Sequence, residues 1–272
     1  MRSNLCILYS DFSPLAPELI YLPPVFFLIA LTYATAGFGG GSSYLAVLAL
    51  AALPTGEMRA TALVCNLIVA GGGVFHFWKA GAMPWQRALP LVLISVPAAY
   101  LGGRIELPRE QFLGLLGLVL LFAGLAMWLR PGAEREPLAD DPLPEAARRT
   151  QLQAGILGGA LGFLAGLVSI GGGIFLSPVL FLQRWAEART IAAVTSLFIF
   201  VNSLSGLLGQ VSRGFEPPWQ LLGVLAVAVL IGGQIGTRLT LRSLSATTIR
   251  RVAAVLIIVV GARLLVQVSG LW

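Results

Sequence analysis

Ala36-Gly37-Phe38-Gly39-Gly40-Gly41-Ser42-Ser43 lies in the middle of a charge-free run from Leu19 to Gly56. Gly166-Leu167-Val168-Ser169-Ile170-Gly171-Gly172-Gly173-Ile174-Phe175-Leu176-Ser177-Pro178 lies in a second such run, from Thr150 to Gln183. Glycine costs a helix interior about 1 kcal/mol relative to alanine, so each glycine triplet predicts an opened helix. Exposed backbone at membrane depth, made twice, points to a transporter built from two related halves.

Composition sets the solvent. Apolar residues make up 57% of the 272, charged residues only 11%, and the mean hydropathy is +0.87, which predicts an integral membrane protein. A formal net charge of +6 invites a nucleic-acid reading. The basic residues, however, stand singly or in pairs between apolar runs, with no basic stripe interleaved with aromatics. Arginines at helix ends suit lipid phosphates and set orientation. Cys6 and Cys65 have no CxxC or metal-ligand spacing, and neither a metal nor a cofactor is expected. The short patch Leu5 to Tyr9 is followed by Asp11, Pro14, Pro17 and Glu18, which argues against a cleaved signal peptide and starts the first span near Pro23.

From charge to charge the chain reads Leu19 to Gly56, Ala60 to Trp78, Ala88 to Gly103 and Gln111 to Leu129, and then Thr150 to Gln183, Thr190 to Ser212, Pro217 to Thr237 and Val252 onward. Between the two sets lies an acid- and proline-rich stretch carrying Pro131, Pro137, Pro142 and Pro144. A bilayer core needs about 20 helical residues. The expectation is an all-α polytopic membrane protein with about eight hydrophobic segments in two repeats of four. Its divisions are an N-terminal tail (1–22), a first membrane repeat (23–130), a polar linker (131–150) and a second repeat (151–272). The first and fifth runs are too long for single straight spans, so each is a broken helix or a re-entrant hairpin opened at its glycines.

The halves match beyond the triplets. A shift of 132 residues, from 39 to 171, superposes the triplets and brings Arg59 within two positions of Arg189, with Ala62 and Ala192 three residues further on. Pro84-Trp85 then answers Pro218-Trp219, and Leu101-Gly102-Gly103-Arg104 answers Ile235-Gly236-Thr237-Arg238. Blocks in the same order argue for internal duplication. Four full spans per half would make the repeats parallel; three spans plus a hairpin would invert them. Basic residues counted on an eight-span scheme balance, so orientation stays open.

Non-helical backbone survives in a membrane only when packed in protein or lining an aqueous cavity. A broken helix frees the N–H groups of its second half, here around Gly41, Ser42 and Ser43 and around Gly173 and Ile174, and the positive dipole end suits a small anion. The bland alternative is close helix packing at the glycines. The candidate substrate-binding set is Gly39, Gly40, Gly41, Ser42, Ser43, Asn66, Ser169, Gly171, Gly172, Gly173, Ile174, Thr195, Ser196 and Asn202. Arg104 and Arg238, ending matched runs, are candidates for anion steering at a pore mouth, with snorkelling to headgroups as the alternative. His76, the single histidine, sits beside Trp78 and Lys79 and suits interfacial packing better than proton relay. No Asp or Glu lies well inside any run, so no carboxylate relay or sodium cage is visible.

The stretch Ala36 to Ser43 and the stretch Gly166 to Pro178, each followed by an Ala/Thr/Ser-rich span and a later glycine-rich span, resemble the TauE/SafE family of membrane permeases. The resemblance covers about Pro24 to Val268, with Arg189 and Ala192 to Leu197 adding specificity in the second half. It implies transport of sulfite, sulfoacetate or a related small sulfur-containing anion across a bacterial inner membrane, and carries the family's glycine motifs onto both triplets. Ala46 stands where the second half has Pro178, and His76 has no counterpart, so the site is not strictly symmetric.

The leading expectation is a multi-pass transporter, not an enzyme, working by alternating access between the repeats. The partners expected are a small anionic substrate and the lipid bilayer, with no nucleic acid; a homo-oligomer and a coupling ion are left open. An intramembrane hydrolase using Ser42 lacks an evident histidine partner. A non-transporting membrane scaffold predicts tolerance of bulky residues in both triplets.

Overall fold

A computed structural model describes residues 20–51, 53–129, 144–183, 185–214, 218–242 and 246–269. The reading of Leu5 to Tyr9 and most of the polar linker lie outside these. The described residues form helices and turns without a strand. The first half contains α1 (Leu22–Ala34), α2 (Gly41–Leu50), α3 (Thr55–Lys79), α4 (Trp85–Arg104) and α5 (Arg109–Trp128). The second repeats the order as α6 (Pro144–Val168), α7 (Gly173–Leu182), α8 (Ala188–Val211), α9 (Trp219–Arg242) and α10 (Ala246–Val268). Helix α6 starts inside the stretch read as linker, because Pro144 at its first position and the Ala146-Ala147 pair favour helix there.

Both long runs break at their glycines. Helix α1 ends before Gly37 (φ 74°), and α2 is capped by Gly40 in the left-handed region (φ 91°). In the second half the turn between α6 and α7 uses Ser169 (φ 58°), Gly171 (φ 78°) and Gly172 (φ 81°). At 1.5 Å per residue, α1 with 13 residues and α2 with 10 span roughly 20 and 15 Å, each short of a bilayer core of about 30 Å.

Neighbouring helices show that these are hairpins, not interrupted spans. Arg59, near the start of α3, bonds the Gly103 and Ile105 carbonyls at the end of α4, and Arg213, just after α8, bonds the Arg104 carbonyl. The starts of α3 and α9 and the ends of α4 and α8 therefore share one end of the molecule, end A. Helix α1 runs alongside α9 in the same direction, with Gly232 against the Phe27 carbonyl and Gly236 against that of Leu31. It thus departs from end A, and α2 returns there to start α3. Helix α6 runs alongside α4, with Gly158, Gly162 and Gly166 against the carbonyls of Leu91, Ser95 and Ala99. It departs from the opposite end, B, and α7 returns to B, where α8 begins. Three spans and a hairpin per half make the two halves inverted.

Packing obeys the same exchange. Helix α1 packs on α9 while its counterpart α6 packs on α4, and α4 packs on α8 while α9 packs on α3. The self-related pairs are α3 with α8 and α5 with α10. The glycine ladder of α6, one residue every fourth position, lets its backbone approach α4 closely, the small-residue packing favoured in lipid. Three helices, Thr55–Lys79, Arg189–Val211 and Trp219–Leu239, are long and apolar enough to cross a membrane alone. Leu118, Phe122, Val227 and Val259 point outward from α5, α9 and α10, as a lipid-facing surface requires.

Candidate functional site

The hairpin tips enter from opposite ends and meet between α3 and α8. Asn66 on α3 touches both. A Cβ added to Gly39 or Gly41 would fall on its amide, and one on Gly171 would come 3.2 Å from its Nδ2. That nitrogen donates to the Ile170 carbonyl at 2.9 Å. On the other wall Ile199 of α8 faces Gly39, Gly171 and Gly173, so only glycine lets the two tips close around these side chains. Ser196 makes the reciprocal bond, donating to the Gly37 carbonyl at 3.0 Å. Each central helix thereby ties down the tip contributed by the opposite half.

The sequence candidates gather here, and all are buried. Ser42 and Ser43 open α2, with Ser43 Oγ 2.7 Å from the Tyr33 hydroxyl, a bond that closes the first hairpin on itself. Gly40 packs on Ile29 and Tyr44, and Gly172 on Ala165 and Phe198. Ile174 belongs to the apolar core beneath the crossing. Thr195 presents its methyl to Gly173. Asn202 bonds back to the Phe198 carbonyl of its own helix at 2.8 Å. Buried polar atoms around the crossing without a hydrogen-bond partner include Ser42 Oγ, Tyr44 Oη, Asn66 Oδ1, Thr195 Oγ1, Asn202 Oδ1 and Ser203 Oγ. Such groups cost about 1–3 kcal/mol each when left unpaired.

Backbone donors converge as well. The first intrahelical bond of α2 runs from Tyr44 N–H to the Gly40 carbonyl, and those of α7 from Phe175 and Leu176 to the Gly172 carbonyl. The N–H groups of Gly41, Ser42 and Ser43, and of Gly173 and Ile174, precede them. Two half-helix dipoles therefore present positive ends toward the crossing from opposite directions.

Arg104 and Arg238 are both exposed, but inversion puts them at opposite ends: Arg104 at end A, Arg238 at end B, so they do not share one mouth. His76 Nε2 lies 2.6 Å from Gln234 Oε1, an interhelical contact between α3 and α9 rather than a partner for Ser42. The sequence reading overlooked Arg59 beyond its value as a repeat marker. It is 3% exposed and its guanidinium reaches the second tip, donating from Nε to Ser169 Oγ at 2.8 Å. An unpaired cation near the start of an apolar run was the available signal. Beside it opens a cavity of about 330 Å³ lined by Thr55, Gly56, Arg59, Gly103, Glu106, Leu107, Gln210 and Arg213.

Known proteins resemble the chain over most of its length. The chain is 34% identical over 255 residues to a protein named probable membrane transporter protein y4hK from Sinorhizobium fredii, covering 91% of this chain and 98% of that one. It is 24% identical over 230 residues to probable membrane transporter protein MJ0441 of Methanocaldococcus jannaschii, covering 81% and 82%. No solved structure matches it. The profile of the family described as sulfite exporter TauE/SafE matches residues 22–264. With its apolar helices and paired re-entrant tips, the chain is a multi-pass membrane transporter, and it belongs to the sulfite exporter TauE/SafE family.

Proposed function

We propose that this transporter moves a small oxyanion, sulfite or a related sulfur-containing anion, by rocking its inverted halves about the crossed hairpin tips. The meeting of both glycine tips at Asn66 is the observation that carries this reading. Backbone N–H groups and helix dipoles hold the anion without an arginine at the crossing, and Asn66, Thr195, Ser196 and Asn202 supply the surrounding polar atoms. Unpartnered amide oxygens on Asn66 and Asn202 also accept a hydrogen bond, which favours an anion that still carries a proton, such as hydrogen sulfite. Inversion supplies the mechanism, since exchanging the conformations of two equivalent halves converts an opening at one end into an opening at the other.

Charge favours end B as the cytoplasmic end of a bacterial inner-membrane protein. Lys79, Arg87, Arg148, Arg149, Arg189, Arg238, Arg242, Arg250 and Arg251 lie on helix ends at B, against Arg59, Arg104, Arg109, Arg213 and Arg263 toward A. The test of function is sulfite flux in proteoliposomes with Asn66→Asp, an isosteric change that adds a negative charge beside both tips. Flux falls at least tenfold while the protein stays monodisperse. Wild-type flux in that variant removes the crossing from the transport path, and a wild-type protein that moves no sulfur oxyanion removes the substrate class.

A further inference from the structure

The cavity at end A is lined by Arg59 and Arg213, and by Gln210, which donates to Ser169 in the second tip. Arg213 is matched by Glu106 at 3.3 Å, both exposed. Arg59 is matched by no carboxylate within ion-pair distance among the described residues. It stacks over Phe112 at 5.7 Å and spends its N–H groups on the carbonyls of Ile105 (3.0 Å), Gly103 (3.3 Å) and Gly166 (3.3 Å) and on Ser169 Oγ. Carbonyl oxygens satisfy the donors but leave a unit charge in a desolvated wall, which is costly without an anion nearby. Counting Arg59, Arg213 and Glu106 leaves the cavity with a net charge of +1. Its volume suits a small ligand, and a guanidinium fork grips a planar or pyramidal oxyanion with two parallel bonds.

Ser169 connects this cavity to the crossing. It is the one non-glycine residue with positive φ among the described residues, and its Oγ accepts from both Arg59 Nε and Gln210 Nε2 (3.2 Å). Ser169 sits two residues before Gly171. Holding it holds the second tip.

We propose that the Arg59 cavity is a second anion subsite, distinct from the crossing, and that an anion there draws Arg59 off Ser169 and releases the second hairpin tip. The subsite takes the same small oxyanion as the crossing and so rests on the transport reading above. An anion in the cavity competes with Ser169 Oγ for the guanidinium, and each entry costs one latch bond. Occupancy at end A is thereby coupled to the mobility of Gly171, Gly172 and Gly173.

The test uses the purified full-length protein, with sodium sulfite affinity read from ligand-dependent melting and with sulfite flux in proteoliposomes. Arg59→Lys keeps the charge and loses the fork, and lowers apparent affinity about tenfold. Ser169→Ala removes the competitor, and tightens sulfite binding about threefold or more while slowing flux, a change of sign that a merely structural arginine does not produce. Equal sulfite affinity in wild type and Arg59→Lys overturns the subsite. Unchanged or weaker binding in Ser169→Ala overturns the latch, whatever Arg59→Lys does. Absence of sulfite binding and flux in wild type overturns the substrate class proposed above, whereas wild-type flux with either variant result just named overturns only the present inference.

Discussion

Replacing Gly171 with alanine tests the crossing at its tightest point. The residue has φ 78°, and an added Cβ would lie 2.6 Å from Ser203 Oγ and 2.9 Å from Ile199 Cγ2. The left-handed conformation costs an L-residue about 1–2 kcal/mol, and overpacking a filled site adds about 1–3 kcal/mol. Gly81 separates the two contributions. It has φ 66° and nothing within 4 Å of an added Cβ, so Gly81→Ala carries only the conformational cost. At about 2–4 °C per kcal/mol for a large domain, Gly171→Ala melts roughly 2–12 °C below Gly81→Ala in the same detergent. Ser203 Oγ has no hydrogen-bond partner, so Ser203→Ala alone is near neutral or stabilising. Combined with Gly171→Ala it recovers about 1 kcal/mol, because the nearest clashing atom is gone and the sites are in contact. The measurements are melting by tryptophan fluorescence and the double-mutant cycle built from it. Equal melting of Gly171→Ala and Gly81→Ala, with no recovery on adding Ser203→Ala, would refute the interlocked tips.

Four further outcomes follow from the same geometry. In α6, Gly162→Leu drives a side chain into the Ser95 backbone, where even a Cβ would be 2.5 Å from the carbonyl oxygen, and size-exclusion chromatography shows loss of the monodisperse protein. Gly114→Ala in α5 meets nothing closer than Val268 Cγ1 at 3.8 Å and gains about 0.5–1 kcal/mol from helix propensity, read as a higher melting temperature. His76→Ala loses its contact to Gln234, costing about 0.6 kcal/mol as such interhelical bonds do in membranes, and keeps sulfite flux within twofold; a tenfold loss would instead make His76 a proton carrier. Alkaline phosphatase fused in the loop after Arg104 is active in cells and fused after Lys79 is inactive, and the reverse pattern would turn the molecule over.

The breaks were legible because glycine triplets have a local cost that sequence alone reports. Their form was not. An interrupted span and a hairpin satisfy the same length argument for Leu19 to Gly56, and the choice is made by Gly232 and Gly236 pressing on α1 from far along the chain. Arg104 and Arg238 show how much follows from that choice: parallel repeats would put both candidates at one end, and inversion sends equivalent residues to opposite faces. The basic residues that balanced on an eight-span scheme become lopsided on three spans and a hairpin, so topology had to precede the charge rule. Arg59 stayed hidden because its partners are non-local, the Ser169 hydroxyl and carbonyls of α4 and α6 that only the folded chain brings within 3.3 Å. Its repeat counterpart Arg189, two positions off the exact match, is exposed at end B, so the two halves hold this arginine differently. Equivalent sequences in unequal states are what an alternating-access cycle requires at any instant, and exchanging those states would bury Arg189 against the first tip while freeing Arg59 from the second.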